Sequence, residues 1–375
     1  MSDLPQQAYA AALAALDRMT VNRLWVLLSH CTPQQAYAVV TGDLQPVGLI
    51  RRLFDINGLA AAWRESTKIH TPDRMWQRCG ELGIGVLVSG APGYPNALLN
   101  DPAPAPVLFV RGSFESLLGR RVGVVGTRNS TASGRDTAAS LGHDLAGCGV
   151  HVVSGLARGI DGCAHRGALS VPDGAGPIAV VASGLDVVYP PEHGQLWQAV
   201  AERGVLLTEA PPGTPPEAYR FPLRNRIIAA LSEVVVVVES RERGGSLITV
   251  DEARQRGILV MAVPGALRNR AANGTNDLIR DGCPIVTDVR DVTTALGLDS
   301  SRAGVAVYDP RPRPAGMDAE ILGLCNEART LDQFVLLTGY TLVECAMAVG
   351  RLELTGWVQQ VNGWFERASA GLFLR

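Results

Sequence analysis

Between Ser232 and Glu239 the chain runs through five consecutive valines, Val234 to Val238. A run that is apolar at every position has no polar face. It suits a strand covered by helices on both sides, which is the situation of a parallel sheet. Further short apolar runs fall at 85–88, 107–111, 122–125, 150–154, 178–181, 205–209, 259–263 and 285–286, with helical patterns between them. Alternation of strand and helix on this scale predicts an α/β fold over 83–298, a parallel sheet joined by right-handed crossovers.

The flanks read differently. Residues 1–82 carry short helical patterns at 8–18, 21–29, 33–40, 48–55 and 59–66, with no strand alternation. Residues 299–316 include Asp309-Pro310-Arg311-Pro312-Arg313-Pro314, the composition of a stiff, extended linker. Beyond it, 317–375 predicts helices at 318–325, from Thr330 or Asp332 to 337, and at 341–354, followed by a hairpin turning at Asn362-Gly363. Three helices and a hairpin make a winged-helix outline. Glu344, Arg351 and Glu353 nearly cancel on the third helix, which argues against sequence-specific reading of a major groove.

Charge and cysteine usage narrow the chemistry. A formal net charge of −2 argues against coating DNA by bulk charge. Lys68 is the only lysine, so phosphate contacts fall to arginine, the better forked donor, or to backbone N–H groups. The seven cysteines are scattered and never spaced as C-x-x-C, the pattern of buried reduced thiols rather than of a metal or redox centre. No apolar run reaches the ~20 residues of a spanning helix, and the first residues lack the basic start of a signal peptide. The expectation is a soluble cytoplasmic protein without a membrane partner.

Ligands of open parallel sheets bind at the carboxyl ends of the strands. There the chain places Gly126-Thr127-Arg128-Asn129-Ser130-Thr131-Ala132-Ser133-Gly134. The glycine lets the backbone approach a ligand, Thr127, Ser130 and Ser133 offer hydroxyls, and Arg128 offers a fork. The following helix is expected to aim its first amides at a phosphate. The stretch is neither a G-x-G-x-x-G fingerprint nor a Gly-Lys-Ser/Thr phosphate loop, so an NAD or ATP cofactor is not expected. Ser154-Gly155-Leu156-Ala157-Arg158-Gly159-Ile160-Asp161 ends the next strand, with His165 four residues after Asp161 on the same helix face. A hydrolytic pair and a dipole-favoured Asp beside a structural His are both open here. Gly244-Gly245-Ser246-Leu247-Ile248-Thr249, with Arg241 and Arg243 beside it, then Pro264-Gly265 and Asn273-Gly274-Thr275-Asn276, complete an ordered set of glycine–hydroxyl loops. Such a set suits several phosphates in a row. Phe221-Pro222-Leu223-Arg224-Asn225-Arg226 adds an aromatic ring beside Arg and Asn at a helix start, a pairing that suits a stacked base with its phosphate held.

These residues, together with Tyr94-Pro95, Gly184-Leu185-Asp186, Tyr189-Pro190 and Gly274-Thr275-Asn276, resemble the DNA-processing protein A, or DprA/Smf, family in the family's order. The resemblance implies an extended Rossmann core at 83–298, a small helical, SAM-like domain at 1–82 and a winged-helix-like domain at 317–375. It implies a non-catalytic protein that binds and protects single-stranded DNA, forms a homodimer, and helps load RecA recombinase in DNA uptake or recombination. No cofactor or metal follows from it. Carried over residue by residue, Arg128 is the phosphate clamp, Phe221 stacks on a base, and Arg224 and Asn225 bind the strand or shape the pocket. Gly126, Thr127, Ser154, Gly155, Arg158, Gly245 and Ser246 complete the expected interface. The chain departs from the family at the N-terminus, where His30-Cys31-Thr32-Pro33 stands in place of helix-hairpin-helix-like glycines. It also lacks the family's frequent pocket lysines, so Arg120, Arg121, Arg220 and Arg243 are expected to supply charge. The dimer contact is expected between 276 and 298.

Two other readings stay open. One is a nucleotide-binding Rossmann enzyme resembling the lysine-decarboxylase-like phosphoribohydrolases. Here Glu209-Ala210-Pro211-Pro212-Gly213-Thr214 imitates their loop but puts the Glu before it. The other is an interaction scaffold whose terminal domains carry the function.

Overall fold

The computed structural model describes residues 4–298, 311, 314–361 and 363–368. Six helices come first: α1 (Gln6–Ala14), α2 (Val21–Leu28), α3 (Pro33–Thr41), α4 (Gly48–Phe54), α5 (Leu59–Thr67) and α6 (Pro72–Glu81). Thr20, Thr32 and Thr71 each start their helix by accepting a backbone N–H with the side chain. The last of the six was not anticipated, although Thr71-Pro72 carries a capping residue followed by Pro at the first helical position.

The α/β region follows as β1 (Gly85–Val88), α7 (Asn96–Leu99), β2 (Val107–Gly112), β3 (Arg120–Val125), α8 (Ala132–Gly147), β4 (Val150–Ser154), α9 (Ile160–Leu169), β5 (Ile178–Val180) and α10 (Gly194–Arg203). It continues through β6 (Val205–Thr208), α11 (Arg220–Leu231), β7 (Val234–Val237), α12 (Ser246–Gln255), β8 (Leu259–Ala262), α13 (Asn273–Arg280) and α14 (Val289–Ala295). One eight-stranded sheet results, in the order β1-β2-β6-β5-β4-β3-β7-β8. It is parallel from β6 to β8. β2 runs antiparallel to β6 and to β1, so the crossover rule fails for the first two strands. The stretch 285–286, expected as a strand, makes a single bridge from Ile285 to Ala262.

The valine run explains the layering. Val234, Val236 and Val238 pack with α8, α9 and α14 through Leu141, Leu145, Ala164 and Val292, while Val235 and Val237 pack with α11 and α12 through Ile227, Ile228, Val250 and Ala253. Alternate side chains of one strand thus bury against helices on both faces. The N-terminal helices pack on the sheet through a separate cluster. Leu13, Leu16, Leu24 and Trp63 pack in one cluster with Phe109, Leu156, Ala179, Leu206 and Trp197.

After the α/β region, α15 (Met317–Leu324), α16 (Leu331–Thr338) and α17 (Leu342–Leu354) precede the antiparallel pair β9 (Val358–Val361) and β10 (Trp364–Arg367). These elements bury Phe334, Cys345, Leu352, Trp357 and Phe365 in a core of their own. Of the expected Asn362-Gly363 turn, Gly363 has the left-handed φ of 85° and Asn362 lies outside the described residues. Most of the expected linker at 299–316 lies outside them too. Among the described residues no single helix is long and apolar enough to cross a membrane.

α8 and α9 cross closely because each places a glycine against the other's backbone. A Cβ on Gly167 would lie 1.9 Å from the Ala139 carbonyl oxygen, and one on Gly142 2.2 Å from that of Ala164. Gly167→Ala is therefore expected to destabilise the fold by about 1–3 kcal/mol, the usual cost of overpacking. Urea unfolding is expected to show a lower midpoint at an unchanged slope.

Candidate nucleic-acid interface

From β3 the chain builds outward through β4, β5 and β6, then returns along α11 to place β7 on the other side of β3. The loops after β3 and β7 leave the sheet around this switch point, where a crevice opens in doubly wound sheets. The start of α11 stands over it. A cleft of about 430 Å³ occupies the crevice, lined among others by Arg128, Asp161, Phe221, Arg224, Asn225 and Arg241. A smaller pocket of about 50 Å³ adjoins it, with Arg128 and Phe221 shared and Tyr189, Pro190 and Arg158 added.

Phe221 is the centre of the arrangement. The Arg128 guanidinium lies 4.7 Å from its ring centroid, and the Tyr189 ring packs tilted at 5.4 Å. Arg128 is exposed. Arg224 sits beneath, only 6% exposed, and its Nε and Nη1 have no hydrogen-bond partner among the described residues. Gly155 makes room for it, since a Cβ there would fall 1.4 Å from Nη1. Asn225 donates to the Gly245 carbonyl at 3.4 Å, and Gly245 itself is exposed with open space where a Cβ would be. Three arginines, Arg128, Arg224 and Arg241, line the cleft against one carboxylate, Asp161.

Several expected roles change. Gly126 lines the cleft and is also required by packing: a Cβ would meet Ile160 at 2.5 Å and the Glu239 carbonyl at 2.8 Å. Ser154 is fully buried and spends its hydroxyl on the Val124 carbonyl at 2.6 Å, so it does not face the cleft. The Thr127 hydroxyl accepts from the Asn129 N–H at 3.2 Å, and Ser246 donates to Ser240 at 2.9 Å. Thr275 donates to Ala272, and Asn276 clasps Gly265 through both its N–H and its carbonyl. Most of these hydroxyls bond within their own loops, and Asn276 ties α13 to the Gly265 loop. The start of α8 is also taken. Glu239 accepts from the Thr131 N–H at 2.9 Å and hydroxyl at 2.6 Å, at the place expected for a phosphate.

The arginines sort in the same way. Arg158 is exposed, lines the smaller pocket and pairs with Glu192. Arg120 and Arg121 begin β3, at the end of the sheet away from the cleft. Arg120 pairs with Glu233, and Arg121 donates to the carbonyls of Leu117, Gly119 and Leu231. Neither supplies charge to the site. Arg220 pairs with Glu217 outside the cleft. Arg243 is exposed on the loop after β7. Arg241 and Tyr189 are among the lining residues that the expected set omitted. Arg241 carried the signal of its neighbouring glycines, and Tyr189 that of the Tyr-Pro pair.

Asp161 and His165 do not form a hydrolytic pair. Asp161 accepts from the Gly155 N–H at 3.1 Å; burial pushes its carboxyl up, and the Arg224 charge pulls it down. His165 is fully buried, which pushes its imidazole down to about 3 and keeps it neutral. Burial likewise lowers Arg224 to about 10, still a cation at neutral pH. Glu209, the acid of the imitated enzyme loop, is buried against Arg226.

A family model described as DNA recombination-mediator protein A matches residues 85–297. The chain belongs to this family. The DNA processing protein DprA of Bacillus subtilis is 41% identical over 217 residues, covering 58% of this chain and 72% of that protein. The X-ray structure of the Streptococcus pneumoniae DprA superposes with a TM-score of 0.65 at 28% identity, over 78% of this chain and 98% of that one. A solved structure of Helicobacter pylori DNA processing protein A, described for its single-stranded DNA binding mode, gives 0.51 at 26% identity, over 57% of this chain and 95% of that one. The match to the DprA family bears out the resemblance read from the loops.

The buried histidine makes a pH prediction. Its folded pKa of about 3 lies below the 6.5 of a free imidazole, so an unfolded chain takes up the proton first. Its contribution to stability is complete above pH 6.5 and declines as pH falls, by up to about 1.4 kcal/mol per pH unit. Urea unfolding of wild type and His165→Leu between pH 7 and 5 is expected to show a shallower decline in the variant.

Proposed function

We propose that the cleft at the switch point binds single-stranded DNA without reading its bases, and that the protein protects the strand and helps load RecA recombinase onto it. The observation that carries the binding is Arg224, a buried cation with two nitrogens lacking acceptors, beneath an aromatic ring that already holds a second guanidinium. A phosphate supplies the acceptors and charge that the three cleft arginines lack. A base stacks on Phe221 in the position Arg128 now occupies, and Arg128 turns to the neighbouring phosphate. Asn225, Gly155, Gly245 and Arg158 border the strand, with Gly126, Thr127, Ser154 and Ser246 holding the loops that shape its path. Kinship with proteins named for DNA processing, one of them described by its single-stranded DNA binding, supports this reading.

The protein works in the cytoplasm as a homodimer through 276–298. It is built from a helical domain at 1–82, a DNA-binding domain at 83–298, a linker at 299–316 and a winged-helix-like domain at 317–375. It acts by binding rather than catalysis, in keeping with Glu209 held by Arg226 and His165 sealed in the core.

Fluorescence anisotropy with labelled oligo-dT and a matching duplex tests the reading. Wild type is expected to prefer the single strand, with affinity falling steeply as salt rises. Phe221→Ala is expected to lose roughly 1–3 kcal/mol of binding, and Arg128→Glu to lose binding and flatten the salt slope by about one unit. Equal, unaffected binding by both variants would place the site elsewhere. An absence of any DNA binding would favour the nucleotide-enzyme reading.

A further inference from the structure

Behind the first turn of α11 lies a second and larger groove, of about 610 Å³. Its far wall is the turn between α1 and α2, where Arg18 holds a left-handed φ of 56°. Its near wall is the face of α11 opposite the first cleft. Tyr219, Arg220, Leu223 and Ile227 line this groove, while Phe221, Asn225 and Ile228 line the cleft, and Arg224 borders both. Residues two apart on a helix point to opposite sides, so Tyr219 and Phe221 are presented to the two spaces separately.

The ring–guanidinium pairing of the first cleft recurs here, although Arg220, unlike Arg128, is also ion-paired, to Glu217. The Arg220 guanidinium lies 5.0 Å from the Tyr219 ring centroid, as that of Arg128 lies 4.7 Å from Phe221. Tyr219 is 56% exposed, which leaves its ring open to a stacking partner. Across the groove, Arg18 and Arg23 make no ion pair among the described residues. Their guanidiniums donate only to main-chain carbonyls, Arg18 to Asn57 and Arg23 to Arg18. The carboxylates that line the groove are Asp17 and Glu209, and Glu209 is already neutralised by Arg226. Leu16, Met19 and Leu223 give it an apolar floor. Apolar floor, open ring and unpaired guanidiniums together suit sugars, a base and phosphates.

We propose that this groove takes the continuation of the single strand that occupies the Phe221 cleft, with Tyr219 as a second stacking platform and Arg18 and Arg23 as phosphate donors. The inference rests on the reading of the first cleft as a single-strand site. It gives the N-terminal helices a direct contact with DNA that does not need a glycine hairpin. The strand crosses the start of α11 at Arg224, whose buried charge serves both sides.

The test uses the full chain with fluorescein-labelled oligo-dT of five and fifteen nucleotides, in fluorescence anisotropy at two salt concentrations. The variants are Tyr219→Ala, at an exposed ring, and Arg23→Glu, with urea unfolding as a control for the fold. The expected result is unchanged affinity for the five-mer, a loss of about fivefold or more for the fifteen-mer in each variant, and a fifteen-mer salt slope about one unit flatter in Arg23→Glu. Tyr219→Ala decides alone if Arg23→Glu does not fold. Unchanged fifteen-mer affinity overturns the groove while leaving the first cleft standing. Equal loss for both lengths overturns it as a separate extension. Failure of wild type to bind either oligonucleotide removes the first-cleft reading itself.

Discussion

Glu239 joins the two sides of the switch point. It follows the valine strand, is 5% exposed, and its carboxylate accepts from the Thr131 N–H and hydroxyl at the start of α8 and from the Asn269 side chain beyond β8. Its carbonyl accepts the Thr127 N–H at 2.7 Å, which fixes the loop after β3. The positive end of α8 favours a carboxylate there. Gly134 permits the contact, because a Cβ would lie 2.3 Å from Oε2. With the helix end filled by the protein's own anion, the open positive charge of the cleft is that of Arg128, Arg224 and Arg241.

The same economy runs through the rim. Several hydroxyls and amides that look like ligand contacts are spent on bonds within the fold. Ser154, Thr275 and Asn276 bond internally, and Gly126 clears Ile160. What remains open to a ligand is an aromatic ring, exposed main chain at Gly245 and guanidiniums without acceptors. A rigid frame with unsatisfied donors suits a polyanion.

Much of this was legible in the residues themselves. The parallel strands announced themselves as all-apolar runs, since burial on both faces leaves no polar position to obscure the pattern. Strand direction was not legible: β1 and β2 have the same composition as their parallel neighbours, and direction depends on the path of the chain between them. Phe221 and Arg224 stood out as a ring and a guanidinium at a helix start, and Arg128 as a guanidinium in the glycine loop after a parallel strand; one cleft brings the three together. The fate of Ser154 and Gly126 was hidden, because a hydroxyl's partner and a glycine's neighbour are set by elements distant in sequence. Arg120 and Arg121 misled for the same reason. They are the first residues of their strand, so they lie at the sheet's opposite end, where Glu233 and main-chain carbonyls consume their donors.

Photocrosslinking with a 4-thiothymidine oligonucleotide, followed by peptide mass spectrometry of the full chain, tests the location of the strand most directly. The arrangement predicts crosslinks at the start of α11 around Phe221 and in the loop after β3 that carries Arg128. Crosslinks confined to 317–368, with none on the rim, would contradict it.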